Sequence, residues 1–114
     1  MLAVIFEVIP TAAGKDEYLK IAGELRGLLE NRDGFISIER FQSLVDENKI
    51  LSLSFWRDEA AIQAWRNEMD HRQAQQKGKG SLFTSYRIRV AEVMRDYTGM
   101  DREGAPTDSR ALHG

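Results

Sequence analysis

The sequence predicts an α+β fold of the ferredoxin-like kind, βαββαβ: a four-stranded antiparallel sheet with two helices on one face. Three observations predict it. The hydrophobic period alternates between that of strands and that of helices in this order along the 114 residues. The two middle strands are joined by a short turn, which makes them an antiparallel hairpin. The first strand is apolar on both faces, as a central, covered strand must be.

The elements follow in order. "LAVIFEVI", Leu2 to Ile9, is rich in β-branched and aromatic residues and reads as a strand. Pro10 ends it, because proline cannot donate to a ladder. Tyr18, Ile21, Ala22, Leu25, Leu28 and Leu29 then form one helical stripe, with Lys15, Asp16, Lys20, Glu24 and Arg26 opposite. Gly23 and Gly27 lie inside this helix at a cost of about 1 kcal/mol each against alanine. Their spacing suits a close backbone approach or two tolerated surface glycines. Gly34 stops the helix region and suits a positive φ. Phe35 to Phe41 is the second strand, Asp46 to Asn48 the turn, and Lys49 to Trp56 the third strand. Alternation puts Leu51, Leu53 and Phe55 on one face, and Ile50, Ser52, Ser54 and Trp56 on the other.

Asp58 is a good N-cap for the second helix, whose buried stripe is Ala61, Ile62, Trp65 and Met69. Asp70 reads as the cap of a further short helical piece, "HRQAQQKGKG", closed by Gly78 and Gly80. Leu82 to Tyr97 is the last strand. It is far longer than the usual ~5–6 residues, so it bends at a bulge or pairs partly outside its own sheet. The domain is expected to span residues 1–97, and the polar stretch 98–114 to be a loosely attached tail.

Composition narrows the function. Apolar residues make up 42% and charged residues 30%, with a net charge of −2 and interspersed signs, so no nucleic-acid groove is indicated. Cysteine is absent, which excludes disulfides, thiolate metal sites and cysteine nucleophiles. The longest apolar run is too short for a bilayer span and contains Glu7, so a soluble, cytoplasmic protein without membrane contact is expected. The histidines are His71 and His113, and neither sits in a recognised metal-ligand spacing. "GKG" at Gly78 to Gly80 follows a helix rather than opening one, so it is no phosphate loop. Metal, flavin and nicotinamide are therefore not expected.

Two features ask for more than a monomer core. The sheet face away from the helices is not polar, and a second sheet packed on it is the physical remedy. The simplest source is a second copy of the chain, which predicts a homodimer. The other feature is the concentration of Trp56, Trp65, Met69 and His71 in one stretch, where core packing and a reaction chamber are both open readings. Arg87 and Arg89 share one face of the last strand, where they bind an anion or pair with Glu7, Glu39 or Glu92.

The segment from Phe35 to Tyr97, with "SFW", "RDEAAIQAW", "HRQAQQKG" and "YRIRVAEVMRDY", resembles the antibiotic biosynthesis monooxygenase family of the dimeric α/β-barrel superfamily. The resemblance covers Met1 to Tyr97. It implies a homodimer with a pocket in each subunit between sheet and helices. It also implies a monooxygenase that oxidises an aromatic, phenolic or quinol-like molecule with dioxygen and no cofactor. On this resemblance Trp65 lines the pocket, His71 is base or hydrogen-bond partner, and Arg87 is a candidate anion stabiliser. Trp56, Phe55 and Met69 complete the candidate substrate-binding set. The alternatives are a non-catalytic small-molecule-binding dimer and a haem-binding or haem-degrading protein. Haem-degrading members carry an Asn on the first strand, where this sequence has Glu7 nearby.

Overall fold

The computed structural model describes residues 1–75 and 83–108, with residues 70–75 described by their backbone alone. The elements are β1 (Leu2–Pro10), α1 (Lys15–Leu29), β2 (Phe35–Gln42), β3 (Ile50–Trp56), α2 (Glu59–Gln75) and β4 (Phe83–Glu92). They form one four-stranded antiparallel sheet in the order β2-β3-β1-β4. This is the ferredoxin-like βαββαβ fold.

The ladders settle which residues share a face. Leu2 stands opposite Trp56, Val4 opposite Ser54 and Val90, Phe6 opposite Ser52 and Ile88, and Val8 opposite Ile50 and Tyr86. These residues look toward the helices, and so do Phe35 and Ile38 of β2. The other face carries Ile5, Glu7, Leu51, Leu53, Phe55, Phe41, Arg87 and Arg89.

Two clusters join the helices to the sheet. Leu29, Trp56, Ala61 and Ile62 make one, with Leu2, Val4, Phe35, Ile38 and Trp65 packed against it. Val8, Tyr18 and Ile50 make the other, with Phe6 and Phe83. Small side chains let the helices approach. Ser52 and Ser54 are buried beneath them, and the Trp56 indole N–H donates to Ser54 Oγ at 2.9 Å, which satisfies both polar groups in the core.

The caps and turns follow the sequence closely. Asp58 Oδ1 accepts from the Ala61 N–H at 3.0 Å and starts α2. Gly34 has φ +83°, and a Cβ there would stand 2.5 Å from the Ala61 Cβ, so the turn before β2 requires glycine. Gly23 and Gly27 have open space around them, so they are tolerated surface glycines and not a packing seam.

Three expectations are corrected. Helix α2 runs unbroken from Glu59 to Gln75, so Asp70 caps no new helix and His71 does not stand at a helix N-terminus. Strand β4 is Phe83–Glu92, shorter than Leu82 to Tyr97, and its pairing with β1 shifts register at Ile9/Pro10. Leu28 is 42% exposed and lies outside the buried stripe of α1. The proposed end of the short helical piece at Gly78 and Gly80, and Leu82, lie outside the described residues.

Beyond β4 the chain turns on itself. Thr98 Oγ1 accepts from the Met100 and Asp101 N–H groups, Arg102 lies 5.3 Å from the Tyr97 ring centroid, and Ala105 is buried. Residues 98–105 thus carry local turns of their own.

Candidate functional site

The helix face of the sheet is unevenly covered. Over β3 it is closed: Ile50, Ser52, Ser54 and Trp56 are all buried. Over β4 it is open: Tyr86, Ile88 and Val90 point the same way and are 64%, 55% and 48% exposed. The result is an exposed apolar strip beside the helix layer, the trough, formed by Val4, Phe6, Ile88 and Val90 on one face of β1 and β4. Three alternating apolar residues on the helix side of an edge strand are costly to leave in water, so the trough is a natural seat for an apolar ligand.

Each end of the helix layer carries aromatic rings. At one end Trp56 and Trp65 lie with ring centroids 6.4 Å apart, and Phe35 stands edge-on to Trp56 at 5.4 Å. At the other, Phe6, Tyr18, Phe83 and Tyr86 form a chain of ring contacts between 5.5 and 6.3 Å. Trp65 is further fixed from outside. The Arg32 guanidinium lies 5.0 Å from its ring centroid and is ion-paired with Glu68, on α2 close to Trp65.

The candidate residues read from the sequence divide by face. Trp56 and Trp65 meet on the helix side, Trp56 as core at 2% exposure and Trp65 half-buried. Met69 follows Trp65 one helical turn later and is half-buried. His71 lies on the same helix, and its side chain is outside the described residues. Phe55 and Arg87 are on the opposite face of the sheet, turned away from Trp65. Beside Arg87, the Arg89 guanidinium pairs with Glu7 at 3.3 Å, one of the pairings the charge pattern suggested. Glu7 is thus committed to the open face and leaves the β1 part of the trough wholly apolar. Sequence reading did not single out Phe6, Tyr18, Tyr86, Ile88 and Val90 as site residues. Their common face emerges only when the β1–β4 register is known.

The displaced carboxyl pKa values lie elsewhere, at the β2–α2 junction. Hydrogen bonds from Arg57 to both Asp33 oxygens, at 2.9 Å each, hold the Asp33 carboxyl below its usual range. The Asp58 carboxyl is lowered by the Ala61 N–H and then by Arg57, and the Asp33 and Asp58 carboxylates in turn raise the Arg57 guanidinium. Among the described residues, no group of three or more His, Cys, Asp or Glu side chains is placed to hold a metal ion. Among them also, no helix is long and apolar enough to cross a membrane.

Comparison with known proteins identifies the family and the fold. A family model for antibiotic biosynthesis monooxygenase matches residues 1–77. A protein of Pyricularia oryzae named jasmonate monooxygenase ABM is 47% identical over 93 residues, covering 82% of this chain and 43% of that protein. The chain therefore spans less than half the length of that relative. The Bacillus subtilis protein YqjZ is 29% identical over 93 residues, covering 82% of this chain and 79% of that one. Among solved structures, the haem degrader MhuD of Mycobacterium tuberculosis, with two haems in its active site, matches with a TM-score of 0.65. The identity is 21%, and the match covers 86% of this chain and 100% of that one. At that identity the likeness concerns the fold.

Proposed function

The chain belongs to the antibiotic biosynthesis monooxygenase family, and from that premise we propose that it oxidises a small, mainly apolar phenol or quinol with dioxygen in the trough on the helix face. The observation that carries this reading is the exposed apolar floor of Ile88 and Val90 between two groups of aromatic rings. Such a seat grips a flat ring system while offering few charges, and a ligand lying in it would displace water from the apolar surface.

Phenols and quinols suit a site with no redox group because they supply all the electrons themselves. Loss of the phenolic proton makes the ring carbon nucleophilic. That carbon bonds to one oxygen of dioxygen, and the O–O bond then breaks. One oxygen stays on carbon as the quinone oxygen, and the other leaves as water with the protons lost from the substrate. The protein's part is to accept the first proton, hold the ring and stabilise the anion. In this reading Trp65 is the wall, Met69 extends it and His71 is the base. Arg87 and Phe55, on the open face, belong to the contact with a second copy of the chain, which would stack its sheet on Ile5, Leu51, Leu53 and Phe55.

The test is oxygen uptake by the purified chain with a panel of dihydroxynaphthalenes, and with jasmonate, the substrate named for the Pyricularia relative. Uptake with a dihydroxynaphthalene is expected, and His71→Ala should slow it by about 10²-fold or more. Equal rates in wild type and variant would remove His71 as the base. Turnover of jasmonate alone would replace the phenol reading. A Soret shift on adding hemin, with no uptake on any phenol, would replace it by the haem reading.

A further inference from the structure

Tyr18 lies in the first turn of α1 and is 6% exposed. It packs with Val8 and Ile50, with Phe6 and Phe83 against the same cluster. Its ring meets that of Phe83 edge-on at 5.5 Å and 78°. Its hydroxyl is buried and has no hydrogen-bond partner. Nearly all buried hydroxyls in native proteins have a partner, and one without a partner is destabilising. Phenylalanine at position 18 would fill the same shell without that cost. Val8, Ile50, Phe6 and Phe83 offer a water molecule no side-chain partner of their own, whereas a buried water typically needs two to four polar groups. The hydroxyl thus fits an incoming oxygen carried on an apolar body.

We propose that the Tyr18 hydroxyl binds the oxygen of the substrate at the Phe6–Phe83–Tyr86 end of the trough. The proposal rests on the trough being the substrate site. A phenol hydroxyl both donates and accepts, so it receives a neutral phenol, a carbonyl or a phenolate. Toward a phenolate it donates a charge-assisted hydrogen bond, which is stronger than one to the neutral form. The same contact therefore orients the ring and favours the anion that reacts with dioxygen. In this proposal the substrate approaches from the β4 side and displaces the Phe83 ring that packs against Tyr18. Tyr86 is 64% exposed and touches both Phe6 and Phe83, and Phe83 in turn touches Tyr18. Phe83 begins β4 where the ladder to β1 shifts register, so the ring next to the hydroxyl is carried by the irregular end of an edge strand.

The experiment compares wild type with Tyr18→Phe, using calorimetric titration of 1-naphthol and of naphthalene. It also records the melting temperature of the unliganded protein. The variant is expected to bind 1-naphthol about tenfold more weakly, to bind naphthalene unchanged, and to melt at the same or a higher temperature. If 1-naphthol binds both proteins equally, the trough stands and the role of Tyr18 falls. A lower melting temperature with unchanged 1-naphthol affinity would likewise overturn it, by assigning the hydroxyl to a structural hydrogen bond. If neither compound binds wild type, the trough reading falls and the proposal with it.

Discussion

The two tryptophans illustrate how one residue type divides into two tasks. Trp56 ends a strand in which small and large residues alternate, and alternation alone puts it on the face with Ser52 and Ser54. There it is 2% exposed, with its indole N–H held by Ser54. Trp56→Ala is expected to lower unfolding free energy by about 3–5 kcal/mol, measured by urea denaturation. Trp65 is half-buried between Trp56 and Arg32. Its truncation should cost less stability than that of Trp56 and more activity. A larger stability loss at position 65 than at 56 would reverse these roles. The helical stripe in the sequence identified Trp65 as inward-facing. That Phe55 and Arg87 look the other way is also implicit in strand alternation, but relating them to Trp65 needs the register between strands far apart in sequence.

At the scale of elements, most boundaries were legible because local chemistry sets them. Pro10 ends β1, Gly34 takes the positive φ, and Asp58 caps α2. The misreading at Asp70 has a clear cause. Aspartate is a good cap but also tolerable inside a helix, and no glycine or proline interrupts "EAAIQAWRNEMDHRQAQ". The β2–α2 junction makes a pH prediction. Asp33 and Asp58 both have pKa values lowered in the folded state from a usual 3.8. Their contribution is thus fully present above that value and is lost as pH falls through the lower folded values. The urea midpoint should therefore fall as pH drops below about 4. In Asp58→Ala it should start lower, through loss of the cap, and fall less steeply. An equal slope in wild type and variant would dissociate Asp58 from the acid sensitivity.

At the scale of the whole molecule, the unmet sheet face is the dominant fact. Ile5, Leu51, Leu53 and Phe55 lie together there, part-exposed and without a covering layer among the described residues, and the radius of gyration is 17.0 Å against about 13 Å for a compact chain of this length. An extended shape with an apolar face suits packing against a second sheet. Leu53→Glu, at the centre of that face, is expected to convert the proposed dimer to monomer in light scattering at micromolar concentration. A Leu53→Glu protein that keeps the wild-type mass would place the interface elsewhere. The apolar character of this face was visible in the sequence. The exposed trough beside β4 was not, because it depends on where the helices stop covering the sheet.

The position of β1 has a consequence for how the chain is made. β1 is central in the sheet, pairing with β3 on one side and β4 on the other, and Leu2 stands opposite Glu92. During synthesis the first strand of this sheet to leave the ribosome is thus among the last to be fully paired. Until β4 emerges, "LAVIFEVI" has one open edge and apolar side chains on both faces, the kind of segment that associates with other chains. Such long-range pairing is slow to form. Nascent chains stalled before Phe83 should therefore depend on holding factors at the ribosome more than the finished protein does.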